Sequence, residues 1–233
     1  ALKTKSAKYI FESVKSFLKK NNKISDEWNS LNIISENAAT VGSFDLGLYK
    51  TEDGSNEVLR DLENHKFEIV YLLGVDNIKI KKKNEFIIYQ GSHGDKGAEM
   101  ADIILPGAAY TEQNGYFTNL EGKLQKAYKA SYPPEEAKED WVIINELAEA
   151  MNHRKLFNDK DELDSSLLNQ INLYIEKDNS IKSSEIKNIE FNQEILKIDN
   201  DNYYYSNVIA RASKTMFECK TSKTIFKSTG TEG

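Results

Sequence analysis

Ala101-Asp102-Ile103-Ile104-Leu105-Pro106-Gly107-Ala108-Ala109-Tyr110-Thr111-Glu112-Gln113-Asn114-Gly115-Tyr116-Phe117-Thr118-Asn119-Leu120-Glu121-Gly122-Lys123-Leu124-Gln125 is the stretch on which the fold turns. Ile103, Ile104 and Leu105 form a short apolar run, and Pro106-Gly107 stops it where the next backbone donor is lost, so the run reads as a buried strand entering a turn. Asn114-Gly115 tolerates positive φ at both central turn positions, with Tyr116-Phe117 and Leu124 on either side, which predicts a hairpin after Glu112. Upstream, Phe67-Glu68-Ile69-Val70-Tyr71-Leu72-Leu73 closes on Gly74 and Phe86-Ile87-Ile88-Tyr89 closes on Gly91. Near-continuous apolar runs suit a parallel sheet flanked by helices better than an antiparallel sheet with one wet face. The expected class is therefore α/β, three layers around a mostly parallel sheet, with a helical C-terminal extension.

Working outward, Ser6 is a cap candidate for a helix carrying Ala7, Ile10, Phe11, Val14, Phe17 and Leu18 at helical spacing and closing on Lys19-Lys20. Ser25 is placed to cap a second helix through Trp28, Leu31, Ile34, Ala38 and Val41, ended by Gly42 and Gly47. After Pro133-Pro134, a helix is expected from Ala137 to Met151 with Trp141, Ile144, Leu147, Ala148 and Met151 on one face. Another carries Leu163, Leu167, Leu168, Ile171, Tyr174 and Ile175. Residues 178 to 202 show no period, Ser206 or Asn207 caps a short helix through Ile209, Ala212, Met216 and Cys219, and the tail after Lys223 is expected to fray. The expected organisation is an α/β domain over 1–152, a helical segment over 153–177, a linker over 178–202, and a docking helix with a flexible tail over 203–233.

The 233 residues are 39% hydrophobic, enough for a substantial core, and 29% charged with a net charge of -6. Dispersed basic residues lack the footprint of a nucleic-acid binder, and the one basic run, Lys79-Ile80-Lys81-Lys82-Lys83, reads as a solvated loop between strands. No window approaches the roughly 20 apolar residues that span a bilayer. Chain start at Ala1 is compatible with a processed precursor or a fragment of a longer chain. Cys219 is the only cysteine, so the sequence offers no intrachain disulfide and no cysteine-ligated cluster or zinc; a buried place on a helix is expected for it.

Candidate chemistry concentrates in Gln90-Gly91-Ser92-His93-Gly94-Asp95-Lys96-Gly97-Ala98, a glycine-rich turn between a strand and a helix start, where α/β sheets bind anionic ligands. Gly91, Gly94 and Gly97 match neither the dinucleotide fingerprint nor the P-loop, so a structural turn is the preferred reading, with Gly91, His93, Gly94 and Gly97 as the alternative cofactor site. His93 and Asp95 lack a recognisable nucleophile, and His65 and His153 lack metal-ligand spacing and read as surface histidines. Glu112 and Glu121 flank the expected hairpin, where carboxylates accept turn hydrogen bonds more readily than they do acid-base chemistry.

Ala101-Asp102-Ile103-Ile104-Leu105-Pro106, Glu112, Gly115, Asn119, Glu121-Gly122 and Gln125 resemble a signature shared by molybdopterin oxidoreductases and the large iron-sulfur subunit of respiratory complex I. Ile88-Tyr89-Gln90-Gly91, His93-Gly94-Asp95, Gly97-Ala98, Leu72-Leu73-Gly74 with Asp76, and Glu139-Asp140-Trp141 resemble the complex I subunit specifically. So do Trp28, Leu31, Asp45-Leu46-Gly47, Arg211-Ala212-Ser213, Thr215-Met216 and Cys219, in the mitochondrial and alphaproteobacterial branch. Departures fall at Leu120 and Lys123; lysine loses the bidentate fork of arginine.

The resemblance implies a truncated molybdopterin-oxidoreductase-like fold without molybdenum cofactor, corresponding to the C-terminal part of the subunit. It implies no cofactor in this chain, with the iron-sulfur clusters on a missing N-terminal part or a partner chain. The implied function is structural support of electron transfer from NADH to ubiquinone, with no catalysis by this chain alone. The implied partners are other peripheral-arm subunits of complex I, with no nucleic acid and no membrane span. The implied place is the matrix side of the mitochondrial inner membrane, or the cytoplasmic face of a bacterial membrane. Asp102, Pro106, Glu112, Gly115, Asn119, Glu121, Gly122 and Gln125 are the implied structural signature, and Arg211 and Met216 the implied docking residues. The alternative is a reduced molybdopterin-type oxidoreductase or nucleotide-binding domain using the Gly91 to Gly97 turn.

Overall fold

The apolar runs pair side by side in chain order. In the computed structural model, which describes residues 6–25, 30–35, 38–48, 54–78, 80–177, 191 and 203–228, β1 (Ile69–Leu73), β2 (Phe86–Gly91) and β3 (Ile103–Pro106) form a parallel sheet in the order β1-β2-β3. Register places Tyr71 beside Ile88 and Ile88 beside Ile103. Val70, Leu72, Ile87 and Tyr89 share the buried face and form the core with Leu62, packed by Ile78, Ile80, Ala98, Met100 and Ala101. Ile87 and Tyr89 are 0% and 2% exposed; burying a side chain of this size stabilises by about 1.5–3 kcal/mol.

Both connections between strands run over that same face. The β1–β2 connection packs Ile78 and Ile80 on the core, and the β2–β3 connection carries α4 (Lys96–Met100). This follows from the right-handed rule: parallel strands laid down in one direction put every crossover on one side. The other face keeps Ile69, Leu73, Phe86 and Ile103 between 42% and 66% exposed. Lys82, in the expected basic loop, pairs with Asp102 at 2.6 Å.

Two compact units are present. One comprises Ala1–Gly47, Phe117–Gln125 and Leu167–Asp199, the other Leu48–Tyr116, Lys126–Ser166 and Asn200–Gly233. In the first, α1 (Ala7–Lys20) forms as its periodicity predicts, with Lys19 and Lys20 in the last turn. Ser6 precedes it without a side-chain capping bond. Val14 and Phe17 of the apolar stripe are exposed while Glu12 and Lys15 are buried as an ion pair at 3.6 Å.

The expected second helix differs. Residues 30–35 are not helical, and α2 (Thr40–Asp45) is only six residues long; Trp28 lies outside the described residues. Gly42, expected as a helix end, sits inside α2 with room for its close neighbour, Thr118 Oγ1, 3.6 Å from where a Cβ would be. A helix unforeseen in the sequence, α3 (Gly54–Glu63), delivers Leu62 to the core of the second unit.

The hairpin consists of β4 (Gly115–Thr118) and β5 (Leu124–Ala127), but its turn lies at Asn119–Gly122 and not at Asn114-Gly115. Asn119 Oδ1 accepts from the Glu121 and Lys123 N–H groups, and Gly122 adopts φ 81°, which glycine takes without steric cost. Asn114 instead accepts from Lys129 N–H. Downstream, α5 (Asp140–Ala150) and α6 (Lys160–Lys177) occupy the expected positions.

The linker expected over 178–202 lies outside the described residues except Phe191. Beyond it, Asn207 caps α7 (Val208–Ala212) by accepting from Ala210 N–H, and the backbone breaks at Ser213 before α8 (Lys214–Ser228). Two helices thus form where the spacing predicts one, and α8 runs on past Lys223. Cys219 is exposed on α8 instead of buried.

Candidate functional site at the carboxyl ends of the strands

Parallel strands bind ligands beyond their carboxyl ends, and here Gly74, Asp76, Gly91, His93, Asp95 and Gly97 gather there within one unit. Asp76 follows β1 and Asp95 caps α4, its Oδ1 accepting from Lys96 N–H at 2.8 Å. Between them stands Arg211, delivered by α7. Its Nε donates to Asp95 Oδ2 at 2.6 Å, its Nη1 to the Tyr205 carbonyl at 3.4 Å, and its Nη2 lies 2.9 Å from Asp76 Oδ1 as an ion pair without hydrogen-bond alignment. All three side chains are about one-fifth exposed. Burial pushes the Asp95 carboxyl up, but the hydrogen bonds from Arg211 and Lys96 N–H and their charges outweigh it and hold it below its usual range. Tyr89 is pushed up, first by burial and then by Asp76 and Asp95.

Tyr89 explains the glycines. A Cβ at Gly91 would sit 2.3 Å from the Tyr89 hydroxyl, and one at Gly97 would sit 2.4 Å from the Val75 carbonyl and 3.0 Å from the Tyr89 ring. The Tyr89 hydroxyl donates to the His93 carbonyl at 2.9 Å, and the His93 ring pairs with Ser92 at 3.0 Å. Gly94 has open space around it. The turn is therefore built around an aromatic ring. Its neighbouring N–H groups are also engaged: Gly97 donates to the Asp76 carbonyl and Glu99 to the Asp95 carbonyl.

A second network joins β2 to α5. Gln90, 0% exposed, donates to Asp140 Oδ1 at 2.7 Å and accepts from the Tyr71 hydroxyl. Gln113 donates to Asp140 Oδ2 at 2.9 Å and accepts from Asp140 N–H at 3.2 Å. Glu112 accepts from Ala109 N–H at 2.9 Å, closing the turn after Pro106-Gly107 as a carboxylate at that position is suited to do. Gly107 lies where a Cβ would meet Asp140 Oδ1 at 2.9 Å.

The remaining signature residues are placed apart from these clusters. Asp102 accepts from Ile87 N–H at 2.8 Å and pairs with Lys82, so it staples the amino ends of β2 and β3. Glu121 and Gln125 are exposed, and Gly115 opens β4. Met216 is half-buried and donates its N–H to Ser213 Oγ. His65, expected on the surface, instead pairs with the buried Glu85. Sequence reasoning named Asp76, Asp95 and Arg211 separately but missed that they meet, and missed Tyr89, Gln113 and Asp140 as network members. The only signal available was that all but Gln113 lay in stretches carrying the resemblance.

The family model for molybdopterin oxidoreductase matches residues 1–150. The chain belongs to the molybdopterin oxidoreductase family. Within that family it is 36% identical over 224 residues to the NADH-ubiquinone oxidoreductase 75 kDa subunit of Reclinomonas americana, covering 90% of this chain and 31% of that subunit. It is 37% identical to the mitochondrial NADH-ubiquinone oxidoreductase 78 kDa subunit of Candida albicans over 93% of this chain and 31% of that subunit. Against a subunit of the NADH-quinone oxidoreductase of Rickettsia bellii it is 38% identical over 95% of this chain and 32% of that protein. The chain thus spans about a third of the length of these relatives.

The family name implies a pterin cofactor, an anionic group that needs backbone donors or cations at the strand ends. The residues here do not fit it. Two carboxylates stand at the strand ends, the Arg211 guanidinium between them is committed to both, and two glycines of the turn, Gly91 and Gly97, are packed against Tyr89.

Proposed function

We propose that this chain is a noncatalytic structural portion of the peripheral-arm iron-sulfur subunit of respiratory complex I. In this reading the clusters that carry electrons from NADH toward quinone lie on another part of the subunit or on a partner chain, and this domain supports them. The carrying observation is the closure of the ligand crevice by Arg211 between Asp76 and Asp95, in a chain similar to complex I subunits along nine-tenths of its length. A family fold whose cofactor crevice is filled by its own side chains is suited to scaffolding. Its place is the matrix face of the mitochondrial inner membrane or the cytoplasmic face of a bacterial one; no described helix is long and apolar enough to cross a membrane.

Affinity isolation of the native assembly through a tag on this chain tests the proposal. The expected result is co-purification with cluster-bearing polypeptides and NADH oxidation coupled to quinone reduction, with no stoichiometric pterin released on denaturation. Stoichiometric pterin or molybdenum, or isolation of the chain without NADH-oxidising activity, would overturn it.

A further inference from the structure

The apolar stripe of α5 is not the face that α5 buries most deeply. Ile143 and Asn145 are 8% and 7% exposed, while Ile144, Leu147, Ala148 and Met151, at positions i, i+3, i+4 and i+7, line an apolar groove of about 380 Å³ together with Leu156. Met151 and Leu156 stay 61% and 51% exposed among the described residues. The second wall is the chain itself, folded back after the helix. Asn152 takes φ 61°, and His153 N–H donates to the Ala148 carbonyl at 3.0 Å before the chain returns along α5. Buried Asn145 pins that return. Its Oδ1 accepts from Leu156 N–H at 2.9 Å and Phe157 N–H at 3.2 Å, and its Nδ2 donates to the Phe157 carbonyl at 2.6 Å. The groove is therefore preformed, and its volume falls within the roughly 300–1,000 Å³ of small-molecule sites, which are mostly apolar with a few fixed polar groups.

Those polar groups stand at one end only. His153 and Arg154 line the groove where the chain turns back, and both are exposed. Among the described residues Arg154 makes no hydrogen bond or ion pair, whereas its neighbours are matched: Lys155 faces Glu149 at 3.9 Å and Lys138 holds Glu146 at 2.8 Å. The guanidinium is thus the uncommitted charge of the groove, and its planar fork suits a carboxylate or a phosphate.

This distribution selects the occupant. A partner helix laid along the stripe would engage charges on both flanks of α5, and Glu146 and Glu149 are already neutralised within the chain. An apolar chain ending in a single anion uses what remains, an apolar floor and one free cation at its end. We infer that the groove between α5 and the returning segment 153–156 binds an amphiphile with an unbranched apolar chain and one anionic head, the head on Arg154 with His153 beside it. The inference is independent of the proposed function, because every lining residue belongs to one compact unit of this chain.

The test uses the native assembly, isolated through a tag on this chain and kept in one non-ionic detergent throughout. Dodecanoate carrying a diazirine near its apolar end is photolysed with the assembly, and the sites of attachment are mapped. The expected result is attachment within residues 141–157, suppressed by unlabelled dodecanoate, at least tenfold less sensitive to dodecanol, and reduced at least tenfold in Arg154→Glu. Arg154→Lys should keep part of the attachment, since it retains the charge and loses the fork. Amide exchange across 140–157 in Arg154→Glu should match the unsubstituted chain, which separates lost binding from lost structure. Ala148→Trp, which fills the floor and leaves Arg154 in place, should abolish attachment as well. Dodecyl phosphate competing more strongly than dodecanoate supports the site with a phosphate head, and weaker competition supports it with a carboxylate head. Absence of attachment, attachment mapped elsewhere, equal competition by dodecanol, or unchanged attachment in Arg154→Glu overturns the inference.

Discussion

The two ends of β2 are held by opposite strategies. At the amino end every partner is close in sequence: Glu85 accepts from Lys83 N–H and pairs with His65, and Asp102 bridges Ile87 N–H to Lys82. At the carboxyl end two partners arrive from far along the chain, Asp140 reaching Gln90 across 50 residues and Arg211 reaching Asp95 across 116, beside the nearer Tyr71 and Lys96. The difference teaches that the sheet is assembled by its own neighbourhood and then sealed, where a ligand would enter, by segments arriving from elsewhere in the chain.

Substitutions at the sealed end should have the largest effects. Gly97→Ala drives a methyl group into the Val75 carbonyl and the Tyr89 ring, and should destabilise by about 2–3 kcal/mol in urea unfolding of the assembled protein. Wild-type stability would break the account of the turn. Arg211→Ala leaves two carboxylates facing each other; because the cluster is one-fifth exposed, the cost should be about 2 kcal/mol, below that of a fully buried pair. Hydrogen exchange should speed up across 203–228, and Arg211→Lys, which keeps the charge but loses the fork, should recover only part of the protection.

At the amino end the signature should be pH dependence. Glu85 is lowered to about 2 from the ordinary 4.5, chiefly by backbone hydrogen bonds from Lys83 and its own N–H, with His65 adding. A lowered carboxyl stabilises the fold above its unfolded value, and that contribution is lost as pH falls from about 4.5 through 2. Thermal melts across pH 2–6 should flatten in Glu85→Gln; an unchanged slope would remove Glu85 from the explanation. The smallest effect should come from Lys82→Ala, since the Lys82–Asp102 pair is about one-third exposed. That effect should vanish in 0.5 M salt, while the effect of Arg211→Ala persists, because exposed pairs are screened more strongly than partly buried ones.

The same division governs what could be read from sequence. The strands were legible because their apolar runs are local, and so were α5, α6 and the Asn207 cap. The hairpin was legible as a hairpin, but its turn was misplaced because Asn119 and Gly122, close together in one turn, compete with the more conspicuous Asn114-Gly115 dipeptide. The helix through Leu31 and Ile34 failed because apolar spacing alone does not supply a partner surface; Ile34 is 83% exposed. α3 escaped notice because only Leu62 of its short apolar set enters the core. The Asp76, Asp95 and Arg211 cluster was invisible as a cluster because no periodicity or spacing rule links residues on different elements. The family resemblance placed all three in matching stretches without saying that they touch.

The separation between Asp95 and Arg211 also has a consequence in time. Synthesis proceeds at about 5–20 residues per second, so Arg211 is added roughly 6–23 s after Asp95. Within that interval, once Ile103–Pro106 has followed, β1, β2 and β3 can pair, with Asp76 and Asp95 facing each other and no arginine between them. The nascent domain therefore passes through a stage with an open, acidic strand end, and it is a segment made more than a hundred residues after Asp95 that closes it.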